Sequence, residues 1–75
     1  MPQGKEERWD AGDMGCGELL VVLKLRFREL EDGTLFELVS RDPGSVEDLP
    51  AWSRMTGHEL LREEHPHYSF RVTHR

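Results

Sequence analysis

The segment CGELLVVLKLRFREL, residues 16–30, carries the strongest structural signal in this chain of 75 residues. Its apolar residues recur at the three- and four-residue spacing of one helix face, at positions 19, 20, 23, 27 and 30. Lys24, Arg28 and Glu31 fall on the opposite side. The pattern predicts an amphipathic α-helix from about Glu18 to Leu30 whose apolar face packs against a core.

Two strand-like segments flank this helix. Residues 8–11 favour a short strand that ends at a glycine-rich turn, and Asp32-Gly33 stops the helix on its other side. Residues 34–40 are rich in β-branched and aromatic side chains, which is typical of a second strand. A strand, a helix and a strand in succession predict a parallel βαβ unit.

A second helix is expected over residues 46–55, with Gly57 as its end. Ser45 is a candidate N-cap, and Asp48 three residues later forms a pattern like a capping box. Pro50 interrupts the segment. The helix is therefore either kinked at the proline or begins at Asp48, with Pro50 in its first turn.

The C-terminal part predicts two more strands. Tyr68, Phe70 and Val72 alternate with polar residues, which indicates a strand with one buried face. Residues 58–64 also have helical propensity, but a short turn into a clear strand favours a hairpin. The predicted element order is βαβαββ. The predicted core comprises Leu19, Leu23, Phe27, Leu30, Phe36, Leu38, Phe70 and Val72.

Length and composition limit the possible functions. Seventy-five residues suit a polar tail over residues 1–7 and one small domain over residues 8–75, too small for a deep active site. A net charge of −5 argues against direct nucleic-acid binding. No apolar stretch approaches the roughly 20 residues that span a bilayer, so no membrane association is expected. A single cysteine excludes an internal disulfide and suits the cytoplasm.

Cys16 is the candidate nucleophile. It lies where the first helix is expected to begin, and free N–H groups with the positive end of the helix dipole favour a thiolate there. Gly15 and Gly17 flank it and leave room for a reactant to approach. The alternative is an ordinary buried cysteine that acts as a small apolar residue.

Three acidic residues lie close to Cys16 in sequence. The negative charges of Asp10, Asp13 and Glu18 would raise the pKa of the thiol and oppose the helix dipole. Alternatively, Asp10 and Asp13 are ordinary loop residues, and Glu18 is a favourable residue for a first helical turn. The sequence leaves the balance between these effects open.

The ordered set of motifs resembles the TusA/SirA-like family of small bacterial sulfur-carrier proteins. The resemblance covers most of the chain from Arg8 onward and implies a two-layer α+β sandwich, with two helices on one face of a four-stranded mixed sheet. It also implies that Cys16 carries sulfur as a persulfide, with Asp10, Gly15, Gly17 and Glu18 supporting it. The motifs are Trp9-Asp10-Ala11, Cys16, Glu18, Leu30-Glu31-Asp32-Gly33-Thr34, Asp42-Pro43 and Asp48-Leu49-Pro50-Ala51-Trp52.

One motif departs from the family. The family signature is Cys-Pro-x-Pro, whereas this chain has Cys16-Gly17-Glu18-Leu19. A proline after the cysteine would preorganise the helix start, so glycine there loosens the loop. Gly17 keeps an N–H group that proline lacks, and this donor can stabilise a sulfur anion.

The resemblance implies a relay function. Cys16 would take sulfur from a donor protein, such as a cysteine desulfurase or a rhodanese, and pass it to an acceptor protein, with no cofactor or metal and with the chain as a monomer. The alternative is an interaction or regulatory module that keeps the fold without the relay. No constellation typical of an enzyme acting alone is assigned.

Other residues have competing interpretations. His58, His65, His67 and His74 are either solvated side chains or a metal site, and their spacing fits no zinc motif. The basic group formed by Lys24, Arg26 and Arg28 is either a solvated helix face or a docking patch for an acidic partner. Met14 is interpreted as an apolar plug or a docking contact, and Trp52 as a core residue.

Overall fold

A computed structural model describes residues 5–74, apart from the side chain of Cys16. Within that range the chain forms two helices and four strands, which confirms the predicted order βαβαββ. The elements are β1 (Glu6–Asp10), α1 (Cys16–Arg28), β2 (Leu35–Val39), α2 (Ser45–Thr56), β3 (Glu59–Glu64) and β4 (His67–Arg71).

The strands form one mixed sheet in the order β1-β2-β4-β3. β1 and β2 are parallel, which confirms the βαβ unit, and β4 is antiparallel to both β2 and β3. Both helices pack on one face, so the domain is the expected two-layer α+β sandwich. The other face carries mostly polar side chains, together with the half-buried Leu35 and Val39 of β2. There, the Ser69 hydroxyl donates a hydrogen bond to the Glu37 carboxylate at 2.8 Å.

β1 begins earlier than predicted. Glu6 pairs with Leu35 and Glu7 with Phe36 of the parallel neighbour, so the strand starts at Glu6 rather than Arg8. These glutamates have no strand-like pattern of their own, and the pairing with β2 places them in the sheet. Of the predicted tail, residues 1–4 lie outside the described residues.

The core lies between the helices and the sheet. The predicted residues Leu19, Leu23, Phe27, Phe36, Leu38, Phe70 and Val72 are buried, together with Leu49, Trp52 and Tyr68. The Phe27 ring lies at its centre, with centroids 4.8 Å from Phe36 and 5.3 Å from Trp52, both edge to face. Edge-to-face packing of this kind adds to the hydrophobic stabilisation that burial itself provides.

Leu30 is the exception among the predicted core residues, since it is only half-buried. α1 ends at Arg28, two residues before the predicted end. The Glu29 and Leu30 amides donate to the carbonyls of Arg26 and Phe27, which closes a tight final turn. Leu30 therefore packs against the edge of the core from the loop that follows α1.

α2 also differs from prediction at its start. The N-cap residue is Gly44, and the Ser45 side chain is buried, with its oxygen 2.6 Å from that of buried Ser40. The predicted Ser45 cap is therefore wrong, because the hydroxyl is used inside the domain. Pro50 lies inside the continuous helix, so α2 does not begin at Asp48. Gly57 ends α2 at a φ of 88°, as predicted.

β3 and β4 form the predicted hairpin. Glu64 pairs with His67 across the turn, and the register shifts between Leu60 and Arg62. Leu60 packs against the core, whereas Leu61, the extra residue at this bulge, is exposed. The many charged residues of this edge strand oppose pairing with another chain.

Candidate functional site

The loop from β1 to α1 is fixed to the end of β2. Asp10 is opposite Val39 in the parallel pair, and the Ala11 amide extends the ladder by donating to the Val39 carbonyl at 2.8 Å. The Arg41 amide then donates to the Gly12 carbonyl at 3.1 Å. Both parallel strands thus end beside the loop that leads to Cys16.

Asp10 shapes the first part of this loop. Its Oδ1 accepts a hydrogen bond from the Gly12 amide at 2.8 Å, a side-chain turn of the type that aspartate favours. Gly12 has a φ of 61°, a left-handed conformation that glycine adopts without steric cost. The Met14 amide closes the turn by donating to the Ala11 carbonyl at 3.2 Å.

Cys16 lies at the helix start, where the sequence places it, and it is the first residue of α1, which begins two residues before the predicted Glu18. Gly15 precedes it as the N-cap in an extended conformation, and the Gly15 carbonyl accepts the Leu19 amide at 2.9 Å as the first helical hydrogen bond. The backbone of Cys16 therefore lies in the first turn, where amides point away from the helix and the dipole is positive. Its side-chain exposure and its reactivity stay predictions.

The two glycines beside Cys16 lie in open space. Apart from the neighbouring residues of the chain and the backbone of α1 itself, a Cβ atom added at Gly15 or Gly17 would contact nothing within 4 Å, and both residues are exposed. Neither needs to be glycine for the fold, because their φ angles are not left-handed. This openness leaves room for a large reactant at the start of α1.

The acidic residues near Cys16 take different places. Glu18 is exposed in the first turn of α1, where a negative charge interacts well with the helix dipole. Asp13 is exposed in the loop, and Asp10 is held by the Gly12 amide. Gly15, Gly17 and Glu18 thus lie at the start of α1, whereas Asp10 lies at the end of β1, in the turn that leads to it.

α1 also presents an apolar flank that the sequence analysis missed. Val21 and Leu25 are 59% and 53% exposed, one helical turn apart, and the exposed cations Lys24 and Arg28 lie beside them. We call these four residues the α1 flank. The signal in the sequence is that α1 carries more apolar residues than one buried face requires.

Packing decides between the interpretations given for Trp52, Met14 and Arg26. Trp52 is a core residue, as predicted, and Met14 packs partly buried against the core, which favours a plug. Arg26, expected in the basic group, lies with its guanidinium carbon 4.5 Å from the centre of the Trp9 ring. This cation–π contact links α1 to β1.

His65, His67 and His74 are exposed, as the interpretation as solvated side chains expects, whereas His58 departs from it. His65 Nδ1 lies 2.6 Å from the Tyr68 hydroxyl, and His67 is exposed. His58 is half-buried, and its ring lies 4.7 Å from the Phe27 ring and 5.9 Å from the His74 ring. His58 is thus a packing residue rather than a solvated one.

A shallow concavity of about 480 Å³ lies on the open sheet face, lined in part by Arg8, Asp10, Glu37, Arg62 and His67. In the part of the chain that the structure describes, no three His, Cys, Asp or Glu residues could hold a metal ion. Neither α1 nor α2 is long and apolar enough to cross a membrane.

Similarity in sequence to known proteins shows the family of this chain. A family model described as sulfurtransferase TusA matches residues 7–74. The chain belongs to the TusA family. Its relatives include two proteins of Bacillus subtilis strain 168. The putative sulfur carrier protein YrkF is 40% identical over 55 residues, which are 73% of this chain but only 30% of that longer relative.

The putative sulfur carrier protein YrkI is 39% identical over 54 residues, 72% of both chains. The sulfur carrier protein TusA of Pseudomonas putida strain W619 is 33% identical over 55 residues, which cover 73% of this chain and 69% of that protein. The resemblance inferred from the sequence motifs is thereby confirmed.

Proposed function

We propose that this TusA-family protein carries sulfur as a persulfide on Cys16 between a donor protein and an acceptor protein. The observation that carries the proposal is the placement of the single cysteine of a TusA-family chain as the first residue of α1. A helix N-terminus favours the thiolate that such chemistry needs. A cytoplasmic setting belongs to the proposal, because a carrier thiol stays reduced there.

The chemistry is an exchange between thiolate and persulfide. The Cys16 thiolate attacks the terminal sulfur of a donor persulfide, R–S–SH, so that the new Cys16 S–S bond forms as the donor S–S bond breaks. The products are the Cys16 persulfide and the donor thiolate. An acceptor thiolate then attacks the terminal sulfur of Cys16 and releases the Cys16 thiolate. Neither step needs a cofactor or an external oxidant.

The α1 flank supports a protein as the reaction partner. Exposed apolar side chains beside cations form a surface that is typical of a binding site for another protein. The flank begins within two turns of Cys16 on the same helix, so a protein bound there is near the start of α1. Its cations favour an acidic surface on the donor or acceptor.

The proposed donor is a cysteine desulfurase or a rhodanese. The test incubates the protein with a cysteine desulfurase and cysteine, then uses mass spectrometry to seek a mass increase of one sulfur atom on Cys16. Cys16→Ser is the matched control, because it removes the nucleophile and little volume. We expect loading of the wild type and none of the variant.

A charge-reversal variant tests the docking surface. Lys24→Glu combined with Arg28→Glu is expected to slow loading by the desulfurase, and to leave loading by a small-molecule persulfide unchanged. Equal slowing with both donors would place the defect at Cys16 rather than at docking.

The second candidate function is an interaction module without sulfur transfer. The observation that favours it is the replacement of the family motif by Cys16-Gly17-Glu18-Leu19, which removes both prolines. If no desulfurase or rhodanese loads the wild type and an isolated partner still binds Cys16→Ser tightly, the relay is refuted and the module stands.

A further inference from the structure

Asp10 contributes a side-chain hydrogen bond to the loop that leads to Cys16. Its Oδ1 holds the Gly12 amide at 2.8 Å, where the chain leaves β1 through a residue with a φ of 61°. The neighbouring contacts, from Ala11 to Val39 and from Arg41 to Gly12, are backbone to backbone. They do not depend on which side chain occupies position 10.

Gly12 is therefore held from two sides. Its amide is fixed by Asp10 at 2.8 Å, and its carbonyl is fixed by the Arg41 amide at 3.1 Å. The peptide groups on both sides of a left-handed residue are then oriented at once. From Gly12, only Asp13, Met14 and Gly15 remain before Cys16, so the turn sets where α1 begins.

This support matters more in a chain without prolines at the helix start. Proline after the cysteine would fix φ there, whereas Gly17 has no side chain and open space around it. Rigidity of the helix start must then come from the N-terminal side. On that side, the turn at Gly12 depends on a single carboxylate, that of Asp10.

We infer that Asp10 is a positioning residue for Cys16, and that it acts as a hydrogen-bond acceptor for Gly12 rather than as a negative charge. The inference rests on the proposed function of Cys16 as the sulfur carrier. The two actions would shift the pKa of the Cys16 thiol in opposite directions. A charge near the thiol raises its pKa, whereas a well-placed helix start lowers it.

Asp10→Asn and Asp10→Ala separate these actions. Asparagine keeps Oδ1 as an acceptor and loses the charge, whereas alanine loses both. Two measurements are made on each protein at a temperature where circular dichroism shows it folded: the rate of sulfur loading by a cysteine desulfurase, and the rate of Cys16 alkylation by iodoacetamide as a function of pH.

Loss of one hydrogen bond of this kind predicts that Asp10→Ala loads about five-fold more slowly, while Asp10→Asn stays within about two-fold of wild type. The alkylation profile of Asp10→Ala should move to higher pH, and that of Asp10→Asn should not. Profiles that move to lower pH in both variants would show that the charge dominates and would overturn the inference. So would an Asp10→Ala variant that behaves like wild type.

The two readouts distinguish this inference from the proposed function. If the wild type is never loaded, the sulfur-carrier function fails. The alkylation profiles still decide whether Asp10 positions Cys16, because iodoacetamide reacts with the thiol directly.

Discussion

At the scale of single residues, His58 is a titratable group whose neighbours in space are distant from it along the chain. Its Nδ1 accepts the Thr73 amide at 2.9 Å, so the proton of the neutral ring is on Nε2. Burial, and secondarily the positive charge of His74, lower the pKa of His58 below its usual 6.5. The His74 amide in turn donates to Asp32 at 2.8 Å.

This arrangement predicts acid destabilisation. The folded state favours neutral His58, while the unfolded state takes up a proton below about pH 6.5, so stability falls as pH falls through 6.5 toward the lower folded pKa. His58→Asn should be less stable at neutral pH, since ring packing is lost, but its stability should depend less on pH across this window. Urea unfolding at several pH values measures both effects.

His67→Asn is the matched control, because His67 is exposed at the start of β4. It should keep the pH dependence of the wild type. An unchanged pH slope in His58→Asn would show that other groups cause the acid destabilisation.

At the scale of elements, the start of α1 determines how firmly Cys16 is held. Gly17→Pro should stabilise the protein by about 0.4–1 kcal/mol, because proline restricts the unfolded chain and a helical φ is near the one that it fixes. Gly17 lies in the first turn, where its amide has no intrahelical acceptor, and an added Cβ would contact nothing within 4 Å beyond its chain neighbours and the backbone of α1. Thermal or urea unfolding measures the change.

Gly12→Ala is the control, because it is expected to destabilise the protein where Gly17→Pro stabilises it. The Gly12 φ of 61° is unfavourable for any residue with a Cβ, so a loss on the order of 1 kcal/mol is expected.

If wild type is loaded with sulfur and Gly17→Pro loads faster, the glycine start is a loosened carrier site. A loss of stability in Gly17→Pro would mean that the first turn cannot accept proline.

At the scale of the whole molecule, one side of α1 holds the two layers together and another side faces solvent. Leu23 is fully buried in the core, and Leu25 is 53% exposed on the α1 flank. Leu23→Ala should therefore cost about 2–5 kcal/mol of unfolding free energy. Urea unfolding monitored by circular dichroism measures this loss.

Leu25→Ala removes the same atoms from the same helix without opening a cavity. We expect its stability to stay within about 0.5 kcal/mol of wild type. Similar losses in both variants would contradict the assignment of the buried face of α1.

Local sequence patterns by themselves determined the element order, the buried faces of α1 and β4, and the place of Cys16 at a helix start. Periodicity succeeds at these positions because the repeat of a helix or strand decides which side chains share a face. Leu19, Leu23 and Phe27 are buried for this reason. The motifs around Cys16 likewise indicated the TusA family before the comparison showed it.

Only the tertiary structure decided features that depend on partners far away in sequence. Glu6 belongs to β1 because Leu35 pairs with it, and Ser45 is no helix cap because buried Ser40 faces its hydroxyl. His58 is half-buried, with a lowered pKa, because the Phe27 ring packs against it and His74 lies beside it. Such contacts produce no repeating pattern in the sequence, because hydrogen bonding and desolvation depend on distances in space rather than along the chain.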